Sequence, residues 1–126
     1  MTDLAKRLLA CKHFRWMPGM HAHAGRVLDV RGAEICLADE GATEDGNTVR
    51  WVDSAGLGPY LTDDATLGCL LALVRHAHGE ATIHVVAQDS EWDDMVMWHV
   101  VSAQQDRALG TGDTEAEALV AALEAA

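Results

Sequence analysis

Residues 63–79 (DDATLGCLLALVRHAHG) constrain this chain more than any other stretch. Leu67, Leu70, Leu71, Val74 and Ala77 recur at three- and four-residue steps, which places them on one stripe of an α-helix. Thr62 or Asp63 can cap its first turn, Asp63 and Asp64 suit the positive N-terminal end, and Gly79 can close it. A helix this apolar has to bury its stripe, and the short strand-like runs on either side supply the surface.

Those runs set the fold class. Residues 26–30 and 34–38 are β-type and are separated by Arg31-Gly32-Ala33, which reads as a hairpin. Residues 39–47 (DEGATEDGN) are polar and acidic and read as an exposed loop, and 48–53 return to strand character. Beyond the helix, 81–87 (ATIHVVA) and 95–101 (MVMWHVV) read as strands around the acidic loop 88–94 (QDSEWDD). The second of them is apolar at nearly every position, the pattern of a strand covered on both faces. At the N-terminal end, 2–11 read as a short helix with Leu4, Ala5, Leu8 and Cys11 on one side, and Pro18-Gly19 then breaks the chain. Trp16, just before that break, is expected to pack the N-terminal helix onto the core. At the C-terminal end, Thr114 and Glu117 have capping-box spacing and Ala116, Leu119, Val120 and Leu123 form an apolar stripe. The expected order is α-β-β-β-α-β-β-α: an α+β, three-layer α/β/α sandwich with a mainly antiparallel sheet, and 1–126 as a single domain.

Three blocks of the chain carry a resemblance. Trp16-Met17-Pro18-Gly19-Met20, residues 61–75 (LTDDATLGCLLALVR) and residues 115–123 (EAEALVAAL) resemble small proteins of bacteriophages and prophages, of the phage ABA sandwich domain type. That family often carries a proline where this chain has Asp64. The resemblance implies a phage or prophage origin. It brings no catalytic residue with it.

Charge narrows the classes of partner. Twenty Asp and Glu oppose nine Lys and Arg, for a formal net charge of −11. Lys6, Arg7, Lys12 and Arg15 crowd the first sixteen residues, so the body beyond them is more acidic still. Such a surface repels nucleic acid and anionic lipid, attracts basic partners and favours solubility. No apolar run approaches the ~18 residues of a membrane span. Leu8-Leu9-Ala10-Cys11 has the look of a lipoprotein cleavage site, but the apolar run before Cys11 is far shorter than the ~7 residues a signal core needs. The expectation is a cytoplasmic protein, in the phage reading within the infected bacterial host. Cys11, Cys36 and Cys69 are odd in number and lack a Cys-x-x-Cys spacing, which fits small buried hydrophobes better than a disulfide or a reactive thiol.

The residues that can carry chemistry are scattered. His21 and His23 share a side if their stretch is extended, which makes them weak candidates for a metal pair with no third ligand in view. His76 and His78 fall on different sides of a helix and suit its C-terminal dipole, with Arg75. His84 and His99 sit on the two late strands, where they either act as an acid–base pair or simply hydrogen-bond within a covered sheet. Ser54, Ser90 and Ser102 lie in no Gly-x-Ser-x-Gly motif, and Gly56-Leu57-Gly58 lacks the third glycine of a phosphate loop.

The late hairpin tip is the most suggestive surface. Asp89, Glu91, Asp93 and Asp94 surround Trp92, an arrangement suited to anchoring and steering a basic partner. It lacks the EF-hand spacing of a calcium loop. Asp39, Glu40, Glu44 and Asp45 form the second such surface. The leading expectation is therefore a non-enzymatic acidic phage protein that needs no cofactor and binds a host protein with a basic surface. An inhibitor of a defence or nucleic-acid-handling factor, of anti-CRISPR type, is its concrete form. The alternatives are a metal-binding protein or enzyme built on His21, His23, His84 and His99, and a phage structural component that forms a homo-oligomer.

Overall fold

Three side-chain caps fix the helix starts. A computed structural model of the chain describes residues 1–23, 25–38, 49–89 and 95–126. The Thr2 hydroxyl accepts the Ala5 N–H to begin α1 (Asp3–Ala10), Asp63 accepts from Thr66 to begin α2 (Asp64–His78), and Thr114 accepts from Glu117 to begin α3 (Glu115–Glu124). Glu117 in turn accepts the Asp113 N–H at 3.0 Å, a capping box shifted by one residue. Gly79 ends α2 at φ +68°, the left-handed conformation that a side chain would disfavour.

The strands are β1 (His21–Ala22), β2 (Gly25–Arg31), β3 (Glu34–Ala38), β4 (Val49–Asp53), β5 (His84–Asp89), β6 (Val96–Ser102) and β7 (Arg107–Gly112). The α+β class and the order α-β-β-β-α-β-β-α are as expected, with the short β1 and the glycine-bearing β7 added. The strands divide between two antiparallel sheets, β1-β2-β3-β4 and β5-β6-β7. In the first sheet Val27, Ile35 and Leu37 point into the core, and Ile35 and Leu37 lie opposite Val52 and Arg50 of β4. A bulge between Val27 and Asp29 leaves Leu28 exposed.

The second sheet is built around the approach of α3. Val100 of β6 lies between Val85 of β5 and Gly110 of β7, and this face meets the helix. At Gly110 a Cβ would fall 2.5 Å from the Ala122 nitrogen, so only glycine lets the backbones come this close. Helix α3 also touches α1 and α2, and Ala118, Leu119, Val120, Ala122 and Leu123 are fully buried. The His78 imidazole donates from Nε2 to the Ala122 carbonyl at 2.7 Å, joining the end of α2 to α3. Trp16 is buried as expected and meets Phe14 edge to face, with ring centroids 5.5 Å apart. One cluster of buried side chains takes in Leu8 of α1, Val27 and Leu37 of the first sheet, Leu70 and Val74 of α2, Val100 of the second sheet and Leu119 of α3. Among the described residues no helix is long and apolar enough to cross a membrane.

Candidate functional site

The apolar run 95–101 predicts a strand covered on both faces, and here the structure differs. His84, Val86 and Gln88 of β5 lie opposite Val101, His99 and Met97 of β6, so these six share the face turned away from α3. Val86 is 38% exposed and Met97 42%. The physical reason is that α3 covers only the inner face, and only its proximal part. Farther along the pair Ala87, Gln88 and Asp89 of β5 and Met95, Val96 and Met97 are exposed whichever face they occupy. This end of the sheet therefore offers Val86 and Met97 to solvent on the outer face, while Val96 and its partner Asp89 are exposed on the opposite face and Met95 just before β6; the Asp89 carboxylate pairs with no basic group among the described residues. Scattered single apolar side chains are ordinary on a surface; Val86 and Met97, diagonal neighbours on one face, form an exposed apolar pair.

Of the expected contact residues, Asp89 stands at the end of β5, paired with Val96 on the face opposite Val86 and Met97. Glu91, Trp92, Asp93 and Asp94, and Asp39, Glu40, Glu44 and Asp45, lie outside the described residues. The apolar pair itself was hidden in sequence, because an apolar strand under a helix and one left open spell alike.

His84 and His99 share the outer face one diagonal step apart, open rather than covered. The His84 Nδ1 lies 3.2 Å from the Thr82 carbonyl. Among the described residues no nucleophile stands with them: Ser102 is buried on the opposite face and donates to Glu80 Oε1 at 2.6 Å.

His21 and His23 do share a side, and what they meet there is an aromatic ring. Each imidazole stands edge to face against Tyr60, with centroids 4.9 Å apart in both cases. The segment carrying Tyr60 runs beside β1: Ala22 bridges Pro59, and the Tyr60 N–H donates to the His21 carbonyl at 2.8 Å. The His21 N–H donates to Thr66 Oγ1, whose hydroxyl donates to Asp63. Asp63 is gripped by both terminal nitrogens of Arg26 at 3.1 and 3.2 Å. The Arg26 hydrogen bonds, helped by those from Thr66, outweigh the cost of burial and hold the Asp63 carboxyl down at about 2. Among the described residues no three His, Cys, Asp or Glu side chains gather around a position for one ion. The Cys69 thiol lies 3.8 Å from the Pro18 carbonyl, and burial, with the nearby Asp63 charge, pushes its pKa up, away from the reactive thiolate.

No protein-family model, no curated protein and no solved structure matches the chain.

Proposed function

We propose that this protein acts by binding another protein, with the open end of the β5–β6 pair as its contact surface. The observation that supports this is the exposure of Val86 and Met97 on the outer face, with Met95, Val96 and Asp89 also exposed at the same strand ends. Apolar anchors supply affinity when a partner excludes water from them, and methionine adapts to irregular surfaces. The net charge of −11 selects a basic partner by steering its approach and repelling acidic competitors. Nucleic acid is repelled by the same field and is not the ligand. With the phage resemblance, the concrete form is an inhibitor of a host defence or nucleic-acid-handling factor whose basic channel it occupies, in the manner of an anti-CRISPR protein.

Parallel affinity captures from the bacterial host test this, with the wild-type protein and the V86D/M97D variant as baits. A partner held by the wild type, released by moderate salt and lost from the variant is the expected result. The same partners on both baits would remove the β5–β6 surface from consideration. Light scattering behind size exclusion separates the structural-component reading, because a stable homo-oligomer dissolved by V86D/M97D would mean the face binds a second copy.

A further inference from the structure

We infer that the cavity between α1 and the 58–62 segment binds a small neutral aromatic molecule carrying one hydroxyl, of the phenol class. The cavity encloses about 210 Å³ and is walled by Met1, Ala5, Pro59 and Leu61, with His23 and Tyr60 at its rim. An apolar cavity of about 150 Å³ takes up benzene, so this one accommodates a single ring with one or two substituents. The lining is mostly apolar with a few convergent polar groups, as in small-molecule sites generally.

The rim decides the chemistry of the guest. His23 and Tyr60 meet edge to face at 4.9 Å, so a guest ring stacked on one is met by the edge of the other. Among the described residues the His23 ring nitrogens and the Tyr60 hydroxyl have no hydrogen-bond partner. Either group can exchange a hydrogen bond with a guest hydroxyl. Charge argues for a neutral guest. The polar groove of about 380 Å³ next door shares His23, Tyr60 and Thr62 with the cavity and contains Arg26. Asp63 pairs that guanidinium at two points, so Arg26 adds no net positive charge to the groove. The surrounding −11 charge opposes an anion. This site is separate from the β5–β6 surface and stands without it.

Three probes of one shape test the assignment: p-cresol, toluene and 4-methylbenzoate, titrated by ligand-observed NMR against the whole chain. Saturable binding of p-cresol at one site is expected, with toluene about two- to tenfold weaker for want of one hydrogen bond. The charged 4-methylbenzoate should bind more weakly than either. Thr62→Trp, at an exposed position on the cavity wall, should abolish p-cresol binding while the circular dichroism and melting temperature stay unchanged. His23→Phe keeps a ring against Tyr60 and should weaken p-cresol toward the level of toluene. No saturable p-cresol binding, an equal or tighter 4-methylbenzoate, or p-cresol affinity unmoved in His23→Phe would each overturn the assignment.

Discussion

Arg26 of β2 and Asp63, the N-cap of α2, form a two-point ion pair at 3.1 and 3.2 Å that ties the first sheet to the start of the central helix. The same carboxylate accepts the Thr66 N–H and hydroxyl, both at 2.9 Å, so one side chain serves as cap and as tie. Arg26 adds a bond to the Gly19 carbonyl at 2.9 Å, which holds the turn after Trp16 against β2.

This pair makes stability depend on acid pH. The Asp63 carboxyl titrates near 2 when folded, against 3.8 for an ordinary Asp side chain. Its contribution is therefore complete above the unfolded value and is lost as pH falls from about 4 toward 2. Urea unfolding followed across that window should show a loss that Asp63→Asn reduces. At neutral pH Asp63→Ala should cost about 1–2 kcal/mol, and Asp63→Asn less, because asparagine still caps the helix. Equal losses for the two would mean that the ion pair, not the cap, dominates.

Opposite outcomes are expected at two glycines. Gly110→Ala forces a Cβ onto the backbone of α3 and should destabilise by about 1–3 kcal/mol or more, since backbone cannot step aside as a side chain can. Gly68 lies on the exposed side of α2 with open space around it. Gly68→Ala should stabilise by about 0.4–1 kcal/mol by lowering the freedom of the unfolded chain. Thermal melts of the two single variants check both signs.

Glu80 and Ser102 are coupled beneath the β6–β7 connection. Glu80 is 4% exposed; its Oε1 accepts the Ser102 hydroxyl at 2.6 Å, and Ser102 Oγ in turn accepts the Gln105 N–H at 3.0 Å. Ser102→Ala takes a donor from a buried carboxylate and should cost about 1–3 kcal/mol. The same change made in Glu80→Gln should cost less, because a neutral amide tolerates the loss better. A double-mutant cycle by urea unfolding reads the difference.

The β5–β6 face should be dispensable for folding. Val86→Asp and Met97→Asp replace exposed side chains, so each should shift unfolding by no more than about 0.5 kcal/mol. A much larger loss in either would show that the face is part of the core and cannot serve as a contact surface.

Much of the fold is legible in the order of residues. The α2 stripe buries Leu67, Leu70 and Val74 as its spacing implies, and Asp63 and Thr114 cap their helices as expected, although Glu117 returns its bond to Asp113 rather than Thr114. β7 was not legible: its two glycines, Gly110 and Gly112, are residues uncommon in strands, yet here glycine is what α3 requires of the strand beneath it. The common side of His21 and His23 was legible from alternation, whereas Tyr60 as the group between them was not, since it comes from a segment far along the chain.

Local spacing and capping chemistry determined the helices, most of the strands and the acidic character of this protein, because those depend on near neighbours along the chain. Only the tertiary structure decided which apolar strand end stays uncovered and which rings enclose the cavity by α1. Burial is a property of the element packed alongside, and α3 lies on β7 and the Val100 part of β6 while leaving the far end of β5–β6 bare.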